Sequence, residues 1–120
     1  MVKRHATAKY FWKYGRNMVM SSGTGDASRP LVRSRIWVSG RVQGVAYRAF
    51  AYEAACRMGL RGGVRNLDDG RVEIEVEGDR PTAEAFLELL RTGPPLARVD
   101  DVQVEWNAPT GTWERFQIWY

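Results

Sequence analysis

Apolar residues follow regular periods from about Ser34 to the end of the chain, and these periods predict the elements of the fold. Ile36 and Val38 flank Trp37 in a short run that is typical of a β-strand. A glycine-containing connection follows this run. After it, apolar residues recur every three to four positions and predict one buried helix face: Tyr47, Phe50, Ala51, Ala54 and Met58. Gly59 then stands where a helix commonly ends.

The next segment predicts a β-hairpin. Residues 60–66 and 72–77 are two strand-like runs, and Asp69-Gly70 between them is a strong turn signal because both residues tolerate positive φ. The second run alternates apolar and acidic residues, so we expect one buried face and one solvent-exposed face. The buried set is Val72, Ile74 and Val76, and the exposed set is Glu73, Glu75 and Glu77.

The remaining patterns complete an alternation of strands and helices. A second helix is predicted over residues 81–90, with proline in its first turn and four apolar side chains on one face: Ala83, Phe86, Leu87 and Leu90. Alternating apolar residues then predict a strand around Val102–Trp106 and a short last strand around Phe116–Tyr120. This order, β-α-β-β-α-β plus a strand, is typical of an α+β, ferredoxin-like sandwich, in which two helices cover one face of an antiparallel sheet.

Charge is divided unevenly along the 120 residues, a length that fits one small domain. Residues 1–35 carry a net charge of +7 and residues 36–120 carry −3, so the overall +4 originates in the N-terminal segment. The basic character of the chain is therefore no evidence that the folded part binds nucleic acid. A single cysteine, Cys56, excludes an intramolecular disulfide and favours a reducing compartment, so we expect a cytoplasmic protein. No apolar run reaches the roughly 18 residues of a membrane helix.

Residues 1–33 show no clear period and are predicted to be a basic N-terminal extension. Residues 21–30, SSGTGDASRP, have the composition of a flexible linker. The favoured interpretation is a flexible tail, or upstream sequence from a wrongly assigned start, because Met18 and Met20 could each begin a shorter protein. A transit peptide is one alternative, and an aromatic-basic arm at residues 10–14, YFWKY, is another.

The connection at residues 40–48, GRVQGVAYR, leads from the first strand into the first helix. Successive backbone N–H groups in a glycine-rich connection can hold an anion, and the helix dipole adds partial positive charge. Gly44 allows a ligand to approach the backbone, and Arg48 can grip a phosphate with two parallel hydrogen bonds. The connection lacks the Gly-Lys-Ser/Thr ending of a nucleotide P-loop. Its spacing alone fits equally well an ordinary turn whose arginine points to solvent.

Three separated motifs resemble those of the acylphosphatases. They are GRVQGVAYRAF at 40–50, GGVRNLDDGRVEIEVEG at 62–78 and GPPLARV at 93–99. The resemblance covers about residues 34–120, which we predict to be one acylphosphatase-like domain. It implies the ferredoxin-like fold, the hydrolysis of acyl phosphates to a carboxylate and inorganic phosphate without a metal ion, and no organic cofactor.

The resemblance also implies roles for individual residues. The glycine loop of the family binds the phosphate of the substrate, and an arginine that closes the loop holds the phosphoryl oxygens. An asparagine at the end of the second strand positions the attacking water and maps onto Asn66. Many members carry Trp where this chain has Gly63, and many carry Phe where it has Tyr47. The phosphate-binding loop maps onto Gln43, Gly44, Val45, Ala46, Tyr47 and Arg48, with Arg48 as the arginine.

The scarcity of acid–base residues favours an activated substrate. The only histidine is His5, in the N-terminal extension, so the domain has no histidine to activate a serine or cysteine. We expect Cys56 to be a core or half-buried thiol, and Asp68 and Asp69 to be turn residues rather than metal ligands. A carboxylate leaving group, whose conjugate acid has a pKa of about 4–5, needs no general acid.

The expected partners are a small-molecule acyl phosphate and inorganic phosphate, as product or inhibitor. We expect a monomer, without a membrane or nucleic acid as partner. An alternative is a non-catalytic anion- or nucleic-acid-binding module on the same fold, with the basic extension as its arm. A third, lower-ranked interpretation is a carbamoyl-phosphate-handling domain of a larger maturation enzyme, whose zinc-finger and transfer modules are absent from this sequence.

Overall fold

The computed structural model describes residues 30–120, so the predictions for the first 29 residues lie outside the described part. In residues 30–120 no helix is long and apolar enough to cross a membrane. The elements, in chain order, are β1 (Leu31–Arg41), α1 (Tyr47–Arg57), β2 (Arg61–Asn66), β3 (Val72–Asp79), α2 (Arg80–Thr92), β4 (Arg98–Asn107) and β5 (Phe116–Ile118).

The strands form one sheet in the order β4-β1-β3-β2-β5. β1 is antiparallel to β3 and β4, and β2 is antiparallel to β3, whereas β5 lies parallel to β2. The helix α1 connects β1 to β2, and α2 connects β3 to β4. This topology confirms the predicted ferredoxin-like sandwich with an additional C-terminal strand.

The core lies between the sheet and the two helices, which cover the same sheet face. Ile74 on β3 pairs with Ile36 on one side and with Val64 on the other, and all three are fully buried. Ala51 of α1 and Phe86 of α2 close over this row and are equally buried. The predicted apolar faces of both helices are therefore confirmed, because these alternate strand positions and helix stripes meet in one cluster.

The ends of α2 follow from local sequence. Asp79 accepts a hydrogen bond from the backbone N–H of Thr82 at 2.9 Å, which satisfies one of the free N–H groups at the helix start. Pro81 stands in the first turn, where its missing N–H costs nothing. The helix ends at Gly93, whose φ of 69° suits glycine. Gly93 lies against the ring of Tyr47 and so joins the end of α2 to the start of α1.

The prediction that all three β3 glutamates face solvent was wrong. Glu73 and Glu77 are fully buried on the sheet face opposite the helices. Arg35 on β1 and Arg65 on β2 flank Glu73, with N–O distances of 2.7 and 2.6 Å. The Glu77 carboxylate accepts hydrogen bonds from backbone N–H groups of residues 110 and 111. Alternation along β3 predicts opposite faces correctly, but the neighbouring strands and the C-terminal segment cover the second face.

Candidate active site

The first glycine of the GRVQGVAYR motif belongs to β1. This strand continues to Arg41, and its register with β4 shifts between Ser39 and Gly40. Gly40 has a φ of 127°, and a side chain there would collide with the carbonyl oxygen of Arg98 on β4. Strand packing therefore requires Gly40, and the connection that could bind a ligand begins only after Arg41.

The backbone between β1 and α1 alternates in handedness. Gly44 has a φ of 75° and Ala46 a φ of 64°, whereas Val45 between them has no positive φ. Alternation of this kind can turn successive N–H groups toward one side and so create a concave site for an anion. Val45 and Tyr47 are buried, and Gly44 and Ala46 are exposed. The buried side chains anchor the loop, and Gly44 and Ala46 remain accessible to solvent.

The N-terminus of α1 leaves hydrogen-bond donors free for a ligand. Ala46 precedes the helix and has no side chain able to cap it, and no acidic residue stands in the first turn. The first intrahelical bond runs from the N–H of Phe50 to the carbonyl oxygen of Ala46, at 3.1 Å. Earlier N–H groups have no helical acceptor, and the helix dipole makes this end partially positive. Ala46 is the one non-glycine residue of 30–120 with positive φ, a strained conformation that is typical of functional sites.

Arg48 lies in the first turn of α1 and is half-buried. Its guanidinium carbon is 5.5 Å from the centre of the Tyr120 ring. Within residues 30–120 it has no carboxylate partner, in contrast to Arg71 and Arg98, which pair with neighbouring aspartates. The N–H groups of the Arg48 guanidinium are therefore available to an anion held by the loop.

Tyr47 ties the loop to α2. Its hydroxyl donates a hydrogen bond to the carbonyl oxygen of Leu90 at 2.7 Å, and burial raises the pKa of the phenol, so the proton stays in place. A helical carbonyl ordinarily accepts from the N–H four residues later, but Pro94 stands there and has none. The tyrosine hydroxyl therefore satisfies a carbonyl that the GPP motif leaves without its usual donor.

The side chain of Gln43 points to the hairpin between β2 and β3. Its Nε2 donates to the carbonyl oxygens of Leu67 and Arg71, at 2.8 and 2.9 Å. The amide is thus engaged within the protein, and the backbone of Gln43 is the part that can serve a ligand. Leu67 directly follows Asn66, so this contact brings the end of β2 next to the loop.

Asn66 is the last residue of β2 and pairs with Val72 on β3. Its Oδ1 is buried and accepts no hydrogen bond from residues 30–120. A buried acceptor without a donor costs about 1–3 kcal/mol, and such groups are rare enough to require an explanation. The side-chain amide of Asn66 therefore retains hydrogen-bonding capacity beside the loop.

Asp69 in the hairpin turn is bonded within the protein. Asp69 accepts hydrogen bonds from the backbone and the guanidinium of Arg71, and these lower the pKa of its carboxyl group. Among residues 30–120, no group of three His, Cys, Asp or Glu side chains could hold a metal ion. Asp69 and Gly70 close the turn as the sequence predicts, with Gly70 at a φ of 96°.

A model of the acylphosphatase family matches residues 34–118. The chain belongs to the acylphosphatase family. Proteins of this family are hydrolases that act on acid anhydrides, so the family identification confirms the predicted enzyme class.

Individual relatives agree with the family assignment. An acylphosphatase of Anaeromyxobacter dehalogenans is 55% identical over 87 residues, which cover 72% of this chain and 94% of that protein. The crystal structure of acylphosphatase from Bacillus subtilis superposes with a TM-score of 0.72 at 40% identity, covering 74% of this chain and 99% of that one. A crystal structure of HypF from T. kodakarensis matches with a TM-score of 0.65 at 41% identity, but over 12% of its length.

Some features of this acylphosphatase were not predicted from its sequence. The bond from Tyr47 to Leu90 has a local signal, the proline four residues after Leu90. The bridge from Gln43 has none, because its acceptors lie 24 and 28 positions away. The prediction that Cys56 is a core or half-buried thiol was wrong, because Cys56 is exposed and Ala55 occupies the buried face of α1.

Proposed function

We propose that the loop from Gln43 to Arg48 binds the phosphoryl group of an acyl phosphate, and that the enzyme hydrolyses this substrate to a carboxylate and inorganic phosphate. The observation that carries the proposal is the geometry of this segment. A loop of alternating handedness, a helix N-terminus without a side-chain cap and a guanidinium with no carboxylate partner in residues 30–120 lie together on one short segment.

The chemistry follows from charge and leaving group. The loop N–H groups and Arg48 neutralise the phosphoryl oxygens, and the Asn66 side-chain amide orients a water molecule for attack on phosphorus. The new bond joins the water oxygen to phosphorus. The bond between phosphorus and the acyl oxygen breaks, and its electron pair leaves with the carboxylate. No general acid is needed, and one water proton passes to a phosphoryl oxygen, because an amide is not a base.

The test is the initial rate of hydrolysis of benzoyl phosphate by the full chain in the presence of a metal chelator. We expect turnover that is linear in enzyme concentration, unchanged by the chelator and competitively inhibited by inorganic phosphate. A phenyl phosphate control should not be hydrolysed, since its leaving group requires a proton donor. An enzyme that is inactive on benzoyl phosphate, or active only with metal ions, contradicts the proposal.

We further propose that residues 34–120 form the catalytic domain and that the enzyme works as a monomer in the cytoplasm. All proposed site residues, from Gln43 to Asn66, lie inside this range. The single cysteine is compatible with a reducing compartment. Size-exclusion chromatography with light scattering tests the monomer, and a mass near 13.7 kDa is expected for the full chain.

A further inference from the structure

We infer that Gln43 is a positioning residue, which holds Asn66 at a set distance from the phosphate loop through hydrogen bonds to the hairpin. This inference rests on the proposed function. It assigns Gln43 a role different from phosphate binding by its side chain, because the amide Nε2 donates to two carbonyl oxygens of the hairpin.

The two acceptors of Gln43 define the shape of the hairpin. Within the turn, the N–H of Leu67 donates to the carbonyl oxygen of Arg71 at 2.8 Å, and the N–H of Gly70 donates to that of Leu67 at 3.2 Å. Each of these carbonyl oxygens therefore accepts one bond from the turn and a second from Gln43. One amide group fixes both sides of the hairpin at the point where β2 ends.

The backbone of Gln43 is itself held firmly. Val42 before it is 1% exposed and Val45 after it is 6% exposed, so core packing anchors both sides of the residue. The hydrogen bond from the Gln43 amide consequently holds Leu67 at a fixed position relative to the loop, and Asn66 directly precedes Leu67. Without it, the side-chain hydrogen bonds that join the loop to the hairpin beside Asn66 are lost. A displacement of about 1 Å at a reacting group can lower a rate about 100-fold.

The experiment compares Gln43→Met, which keeps the length of the side chain but removes its donors, with wild type. We expect kcat for benzoyl phosphate to fall about 10- to 100-fold. The inhibition constant of inorganic phosphate should change less than about twofold, because the loop N–H groups and Arg48 remain. Gln103→Met, at an exposed glutamine on β4, is the matched control and should leave both constants unchanged.

A double variant separates positioning from general loosening of the fold. In an Asn66→Ala background, Gln43→Met should cause little further loss of kcat, since the residue that it positions is already absent. If Gln43→Met folds poorly, Gln43→Asn replaces it, because its amide is one methylene too short to reach both carbonyls.

Three results overturn the inference: unchanged kcat in Gln43→Met, losses that multiply in the double variant, or phosphate affinity that falls as much as kcat. The last result would indicate that Gln43 contacts the phosphate directly. Failure of wild type to hydrolyse benzoyl phosphate would instead overturn the proposed function, so the two failures are distinguishable.

Discussion

The indole of Trp119 lies directly over Gly63, where a side chain on β2 would overlap its ring. The backbone N–H of Trp119 donates to the carbonyl oxygen of Val64 at 2.7 Å, and the Trp113 ring centre is 5.8 Å from that of Trp119. The resemblance described above implies a tryptophan at the position of Gly63 in many acylphosphatases. In this chain the residue after β5 places an indole over Gly63, so the glycine and Trp119 are complementary.

This relationship predicts the effect of exchanging the two residues. Trp119→Ala should lower the free energy of unfolding by about 2–3 kcal/mol, since the half-buried indole leaves a gap over Gly63. Gly63→Trp alone should also destabilise, because two indoles would compete for one space. The double variant should recover about 1–3 kcal/mol relative to the sum of the single effects, as measured by urea unfolding.

The control for the exchange is Gly63→Trp combined with Trp106→Ala. Trp106 lies on β4, at the opposite edge of the sheet, and packs against the core between the sheet and the helices. The effects of distant substitutions add. Strict additivity in the Gly63/Trp119 pair as well would contradict the proposed complementarity.

Substitutions of Arg48 and Asn66 are expected to have different effects on phosphate binding and on kcat. Arg48→Ala should nearly abolish turnover and raise the inhibition constant of inorganic phosphate about 10- to 100-fold, because charge-assisted hydrogen bonds to the anion are lost. Asn66→Ala should lower kcat about 100-fold while phosphate binds as in wild type. Arg91→Ala, at an exposed arginine of α2, is the control. Full kcat in Asn66→Ala would remove that residue from a role in orienting water.

Tyr47→Phe tests the hydrogen bond between the loop and α2. The phenylalanine keeps the packing of the ring, but the Leu90 carbonyl loses its donor, so the free energy of unfolding should fall by about 1–3 kcal/mol. The kcat should remain within about twofold of wild type, since the hydroxyl is bonded inside the core. The control is Tyr52→Phe on the exposed side of α1, which should not change stability. Equal stability of wild type and Tyr47→Phe would mean that the carbonyl finds another donor.

Glu73 makes stability depend on pH. Burial alone would raise the pKa of its carboxyl group, but hydrogen bonds from Arg65 and Arg35 outweigh burial and hold the pKa below its ordinary value of 4.5. A lowered pKa in the folded state means that the stabilisation is complete above pH 4.5 and is lost as the pH falls below it. Glu73→Gln should therefore cost about 3 kcal/mol at pH 7, and less at pH 3.

The measurement for Glu73 is urea unfolding at a series of pH values between 3 and 7. Stability of the Glu73→Gln variant should decline less steeply below pH 4.5 than that of wild type. Glu114→Gln, at an exposed glutamate, provides the matched control and should follow the wild-type curve. Parallel curves for wild type and Glu73→Gln would show that Glu73 does not carry this dependence.

The start of the domain can be tested by two truncations. Removal of residues 1–29 should leave kcat for benzoyl phosphate unchanged, since all proposed site residues follow it. Removal of residues 1–33 also deletes the first three residues of β1, which pair with residues 77–79 of β3. We expect it to lower the free energy of unfolding by about 1–2 kcal/mol through lost backbone hydrogen bonds. Equal stability of the two truncated chains would show that the pairing of residues 31–33 with β3 does not stabilise the domain.

The order and type of the elements were predictable because they depend on local pattern. Alternation of apolar and polar residues indicates the two faces of a strand, and apolar residues spaced three to four positions apart indicate one face of a helix. The same holds for the hairpin turn at Asp69-Gly70. The candidate phosphate loop was predictable as far as Gly44 and Arg48, since a glycine-rich entry into a helix is also a local feature.

Tertiary structure decided which polar groups meet. The alternation along β3 placed Glu73 opposite the core but could not indicate that Arg35 and Arg65, on two other strands, would bury it. The bridge from Gln43 to Leu67 and the cover of Trp119 over Gly63 depend in the same way on residues far apart in the chain. The sequence by itself thus determined the elements and their order, and it indicated a candidate phosphate loop. Only the packed fold determined the neighbours of each side chain, because contacts across a sheet or a cleft leave no periodic trace in the chain.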